Sequence, residues 1–127
     1  MKKEISTTKA PSAIGPYSQA IQVGSFVYTS GQIPIDPATC NFIEGGIKEQ
    51  TQQSLLNVKA ILEKVGLTMG NVVKTTVFLA DMKDFADMNS VYAEFFKEPY
   101  PARSAVAVKT LPKGALVEIE VVAYNNL

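Results

Sequence analysis

The sequence predicts an α+β fold in which two helices pack on a single face of one β-sheet. Strand-like runs open the chain as a hairpin, two segments with apolar residues at helical spacing interrupt them, and two further strands close it. Alternation of this kind within 127 residues, 46% of them hydrophobic, suits one core and one domain over residues 1–127. No internal repeat, low-complexity tract or linker marks a second domain.

The first hairpin joins Ala20 to Val23 and Phe26 to Ser30 through Gly24-Ser25, a two-residue loop of the glycine-first kind. Turn-rich Pro34-Ile35-Asp36-Pro37 and Gly45-Gly46 follow. Ile47, Leu55, Val58, Leu62 and Val65 then share one helical face, and Gly66 supplies a C-terminal stop. Val72 to Ala80 is rich in β-branched residues and predicts a strand. Asp81 caps a second helix whose apolar stripe is Phe85, Met88, Tyr92 and Phe95, with Pro99 and Pro101 expected to end it. The last two strands, Arg103 to Lys109 and Val117 to Tyr124, are separated by Leu111-Pro112-Lys113-Gly114. A sheet with both helices on one side leaves its other face bare, and oligomerisation would cover it.

Composition excludes several chemistries. Basic and acidic residues balance at 12 each, so no net field gathers phosphate backbones or anionic lipid. The chain has no histidine, which removes Ser-His-Asp and Cys-His nucleophiles, the histidine pair of a metal-free ribonuclease, and the usual zinc or iron ligand sets. No metal and no cofactor are expected. Cys40 is the single cysteine; it cannot form an intramolecular disulfide, and with no histidine to activate it an incidental loop thiol is the plain reading. The start carries no signal-peptide pattern and no run is long enough to span a bilayer, so a cytoplasmic protein is expected.

Acid–base work therefore falls to carboxylates, tyrosine, lysine or water. Arg103 is the only arginine among the 12 basic residues, and its planar fork binds a carboxylate at two points where lysine offers a point charge. On the residues alone a surface or interface arginine is the plainer account. Glu118 and Glu120 alternate with Val117, Ile119 and Val121: either the solvated face of a strand, or a carboxylate that orients water beside Arg103. Composition does not choose between the two glutamates. Tyr17, after Gly15-Pro16, either anchors a loop or presents its hydroxyl to a ligand. Thr29-Ser30-Gly31-Gln32 is a plain turn or a place where a ligand approaches exposed backbone. Asn89 is a site amide or a polar break in the second helix.

Taken together, Ala13-Ile14-Gly15-Pro16-Tyr17-Ser18-Gln19-Ala20, Tyr28-Thr29-Ser30-Gly31-Gln32-Ile33-Pro34, Lys74-Thr75-Thr76-Val77-Phe78-Leu79, Asp84-Phe85 with Asn89, Pro101-Ala102-Arg103-Ser104, Leu111-Pro112 and Val117-Glu118-Ile119-Glu120 resemble the reactive intermediate deaminase A family, also called the YjgF-type or L-PSP family. The resemblance spans nearly the whole chain. It implies a chorismate-mutase-like fold assembled as a homotrimer with sites in the clefts between subunits. It implies cofactor-free hydrolysis of 2-iminobutanoate and 2-iminopropanoate, which pyridoxal-phosphate-dependent threonine and serine dehydratases release, to 2-oxo acids and ammonia. It places the carboxylate-binding arginine at Arg103, the water-binding glutamate at Glu118 rather than Glu120, and a substrate-binding tyrosine at Tyr17, with Ser30, Gly31 and Asn89 lining the same pocket.

One position departs from the family pattern. Many members carry a cysteine two residues after the arginine, where this chain has Ala105. Alanine supplies the same backbone N–H and C=O to a substrate, so deamination is expected to survive and thiol chemistry is not. Two rivals stand beside this reading: an endoribonuclease or translation inhibitor, which balanced charge and missing histidines disfavour, and a non-catalytic small-carboxylate binder or holdase.

Overall fold

A computed structural model describes residues 1–126; Leu127, the last residue of the expected domain, lies outside the described residues. The element order is β1 (Lys3–Ile5), β2 (Ala20–Val23), β3 (Phe26–Thr29), β4 (Ile35–Asp36), β5 (Asn41–Phe42), α1 (Ile47–Lys64), β6 (Val72–Leu79), α2 (Phe85–Tyr92), β7 (Ala102–Ala107) and β8 (Val117–Tyr124). The main sheet runs β1-β2-β3-β8-β6-β7, and β4 and β5 form a separate small ladder. Every pairing is antiparallel except β6 with β7, where α2 makes the crossover that a parallel pair requires.

The expected α+β architecture is found. The β2–β3 hairpin turns on Gly24 with φ +57°, a left-handed conformation that glycine adopts without strain. Helix α1 buries Leu55, Val58, Ile61 and Leu62 completely against the sheet face that carries Val27, Val77, Val117, Ile119 and Ala123. It ends where Gly66 turns to φ +79°; the Gly66 and Leu67 amides donate back to Glu63 and Leu62 carbonyls, each at 3.0 Å, closing orphan acceptors of the last turn. Met88 from α2 completes the core.

Three expectations change in detail. Asp81 does cap, accepting from the Lys83 amide at 2.9 Å, but the turn it caps is the short 3-10 segment Met82–Asp84, and α2 proper ends at Tyr92. Phe95 thus packs from beyond the helix, which stops well before Pro99 as its i−4 bonds give way to tighter i−3 bonds, the Glu94 and Phe95 amides donating to the Val91 and Tyr92 carbonyls, each at 3.0 Å. Strand β7 closes at Ala107 rather than Lys109.

Helices cover only one face. On the other, Val23, Phe26, Tyr28 and Val106 are each 40–46% exposed, and the Phe26 ring lies 5.0 Å from that of Tyr124 and 6.2 Å from that of Tyr28. Among the described residues no helix is long and apolar enough to cross a membrane.

Candidate active site

Strand parity separates the candidate residues. Arg103 pairs with Thr75 and Ala105 with Val77, and Thr75 and Val77 are fully buried beneath the helices. Arg103 and Ala105 therefore point to the helix-covered face. Glu118 pairs with Phe78 and Glu120 with Thr76; their strand neighbours Val117, Ile119 and Val121 are buried, so both glutamates stand on the open face. A glutamate beside Arg103, the arrangement entertained from sequence, does not occur within one chain.

On the helix side, α2 presents Phe85, Asn89 and Tyr92 along one face, spaced one and two turns apart. The guanidinium carbon of Arg103 lies 4.7 Å from the centroid of the Tyr92 ring and 5.4 Å from that of Phe85, while Nη1 donates to Asn89 Oδ1 at 2.7 Å. Tyr92 is itself held: its hydroxyl and Thr75 Oγ1 share a hydrogen bond of 2.8 Å. Burial pushes the Tyr92 phenol up, against the opposing pull of the Thr75 bond and the Arg103 charge. Among the described residues no carboxylate pairs with Arg103, whose guanidinium lies over an aromatic floor.

On the open side, Tyr17, Ser30, Gly31 and Glu118 line one cleft of about 570 Å³ together with Lys113. Gly15, at φ +112°, allows the turn that brings Tyr17 to the rim, where it is half exposed. Ser30 hangs this loop on the sheet: its Oγ donates to the Ser18 carbonyl at 2.6 Å and its amide to the Gln19 carbonyl at 2.9 Å. The Gln19 side chain accepts from the Thr7 amide at 2.7 Å and donates toward the carbonyls of Thr7, Ala10 and Pro11 at 2.7–3.2 Å. Gly31 lies against the Glu118 carboxylate so closely that a Cβ there would collide with Oε2. Burial, and secondarily the charge of Glu120, holds the Glu118 carboxyl above the usual carboxylate range. Among the described residues no lysine or arginine pairs with Glu118, and no three histidine, cysteine or acidic side chains cluster to hold a metal ion.

The family described as Endoribonuclease L-PSP matches residues 7–125. The chain belongs to that family. Among relatives of this L-PSP family chain, a RutC family protein of Pyrococcus horikoshii is 57% identical over 126 residues, covering 99% of this chain and 100% of the relative. The mouse protein named 2-iminobutanoate/2-iminopropanoate deaminase is 50% identical over 126 residues, 99% of this chain and 93% of its own. The crystal structure of a putative endoribonuclease from Thermotoga maritima superposes with a TM-score of 0.96 at 49% identity, covering 100% of both chains.

Four contributors escaped the sequence reading. Phe85 and Tyr92 stood there only as an apolar stripe, though with Asn89 their spacing already put them on one helix face. Thr75 read as an ordinary strand residue. Lys113, at φ +57°, was part of a turn signal, and nothing in the sequence pointed it into the cleft with Glu118.

Proposed function

We propose that this chain is a cytoplasmic, cofactor-free hydrolase of 2-iminobutanoate and 2-iminopropanoate, a single deaminase domain acting as a homotrimer on imino acids released by pyridoxal-phosphate-dependent dehydratases. The observation that carries the reading is a half-buried Glu118 that, among the described residues, pairs with no lysine or arginine, on the sheet face opposite an arginine that pairs with no carboxylate. Relatives at 50% identity over nearly the whole chain bear the deaminase name.

In this reading Arg103 of one subunit grips the substrate carboxylate, with Asn89 and the backbone of Ala105 beside it. Glu118 of a neighbour holds water, flanked by Tyr17, Ser30 and Gly31. Glu118 takes a proton from the water as its oxygen bonds to the iminium carbon, giving a carbinolamine. Glu118 passes that proton to nitrogen, the C–N bond breaks and ammonia leaves, and the freed carboxylate takes the hydroxyl proton as C=O forms. A protonated imine is already electrophilic, so orientation and one base suffice. The raised carboxyl of Glu118 suits a base working near neutrality. The apolar residues on the open sheet face favour burial against other copies.

The test generates 2-iminobutanoate in situ from threonine and a dehydratase and follows 2-oxobutanoate release with and without the protein. Acceleration proportional to added protein supports the reading; an unchanged rate overturns it.

A further inference from the structure

We propose that Tyr92, tied to Thr75, is a positioning residue that holds the Arg103 guanidinium in place for the substrate carboxylate. The inference rests on the activity proposed above, and it concerns a side chain that touches no reacting atom.

Arginine is long and flexible, and an edge-strand arginine left to itself samples many rotamers. Arg103 is confined from two sides. Asn89 fixes one nitrogen at 2.7 Å, which sets a point but leaves the plane free to rotate about it. The ring of Tyr92, 4.7 Å from the guanidinium carbon, supplies the surface that limits this rotation, since a cation is drawn to the face of an aromatic ring. The ring is constrained in turn. Tyr92 is 5% exposed, its ring centroid is 4.5 Å from that of Phe96, and its hydroxyl is bonded to Thr75 at 2.8 Å. Thr75 is the register partner of Arg103 across the parallel β6–β7 pair, so the tie closes a loop from strand to helix and back to the adjacent strand. Phe85, farther from the guanidinium at 5.4 Å and without a hydroxyl, lacks such a tie.

Because Arg103 is the only arginine, the ¹⁵N-labelled protein has a single arginine Nε–Hε resonance, which reports the packing of this side chain with no reference to activity. The variants are Tyr92→Leu, Tyr92→Met as a more adaptable filler should leucine fail to fold, Tyr92→Phe, and each apolar change combined with Arg103→Ala. Tyr92→Leu and Tyr92→Met should move the Nε–Hε resonance toward its unstructured position and speed its exchange with water. They should weaken 2-oxobutanoate binding by about 2- to 30-fold, the range of a lost cation–ring contact. KM should carry most of the loss, with kcat falling less than about threefold. Tyr92→Phe, with the ring but not the tie, should lose less than either. In the Arg103→Ala background the Tyr92 changes should add nothing. An unmoved Nε–Hε resonance in both apolar variants, or an undiminished effect when Arg103 is absent, overturns the proposal. Should wild type fail to hasten imine hydrolysis, the activity reading falls, while the Arg103 resonance still decides the role of Tyr92.

Discussion

Arg103 and Glu118 project from opposite faces of one sheet: Arg103 in register with Thr75 beneath the helices, Glu118 in register with Phe78 on the open side. No side-chain rotation brings them together within one subunit, so a site using both takes them from different copies.

Complementation follows from this geometry. Arg103→Ala and Glu118→Gln should each be nearly inactive, yet unfolding and refolding them together should restore activity. If subunits mix at random in equal amounts, a given site draws its arginine from one variant and its glutamate from the other about one time in four, giving about a quarter of wild-type activity. No recovery from mixed, correctly assembled oligomers would mean that the two groups do not serve one site across an interface.

Glu118→Gln should lower turnover by about two to four orders of magnitude, the range for one positioned acid–base group, and Glu120→Gln much less. The wild-type activity limb should fall on acidification at a pH above the ordinary carboxylate range, and Glu120→Gln should move it downward by removing the second cause of the shift. Stability runs the other way. With its folded pKa raised, Glu118 contributes stability that is fully present below the unfolded carboxylate pKa and is lost as pH rises through the folded one. Glu118→Gln should therefore melt higher than wild type at neutral pH, with the gap closing in acid, as calorimetry across pH would record.

Gly31→Ala isolates placement from chemistry. The added methyl meets the movable end of Glu118 rather than backbone, and Gly31 has no positive φ to strain. The fold should persist with a melting temperature near wild type, while displacement of the carboxylate should cost on the order of a hundredfold in kcat.

Arg103→Lys keeps charge and loses the fork. Loss of a charge-assisted hydrogen bond costs about 1.5–3 kcal/mol, or about tenfold to a hundredfold in capture. The resting surface changes as well, because an ammonium cannot both reach Asn89 and lie flat on Tyr92. Comparing kcat/KM for wild type, Arg103→Lys and Arg103→Ala on 2-iminobutanoate checks it; near-wild-type activity in the lysine variant would remove the fork from the account.

Much of the fold was legible because periodicity reports burial directly. The β8 alternation from Val117 to Tyr124, the β2 strand and the apolar face of α1 needed no tertiary information. Strand β1 was not legible, since Lys3–Ile5 is too short to show a period and exists by pairing with β2; nor was the two-residue β4–β5 ladder around Cys40, which turns at φ +63°. Helix α1 also hides polar contacts that hydrophobicity cannot mark: Asn57, 1% exposed, donates to the carbonyls of Ile33 and Ile35 at 3.2 and 2.9 Å. At the site, residue types and the resemblance point to Arg103, Glu118, Tyr17, Ser30, Gly31 and Asn89, but not to how the sheet divides them between its two faces. The separation of Arg103 from Glu118 depends on the parallel register of β6 and β7, which joins residues far apart in the chain and leaves no local trace.

The four contacts of the Gln19 amide give residues 7–19 an unusual mechanical dependence. Thr7, Ala10 and Pro11 are all moored to one side chain, and the segment between them and Gln19 carries Tyr17. Such a segment should loosen as a unit, with one opening free energy rather than a gradient of fraying. Gln19→Ala would cut these four contacts at once while leaving the Ser30 anchor at Ser18 and Gln19 in place. Hydrogen exchange at the Thr7 amide and protease nicking near Pro11 should rise together, and the Tyr17 wall of the cleft should soften with them, while the β6–β8 ladder on the far side of the sheet keeps its protection.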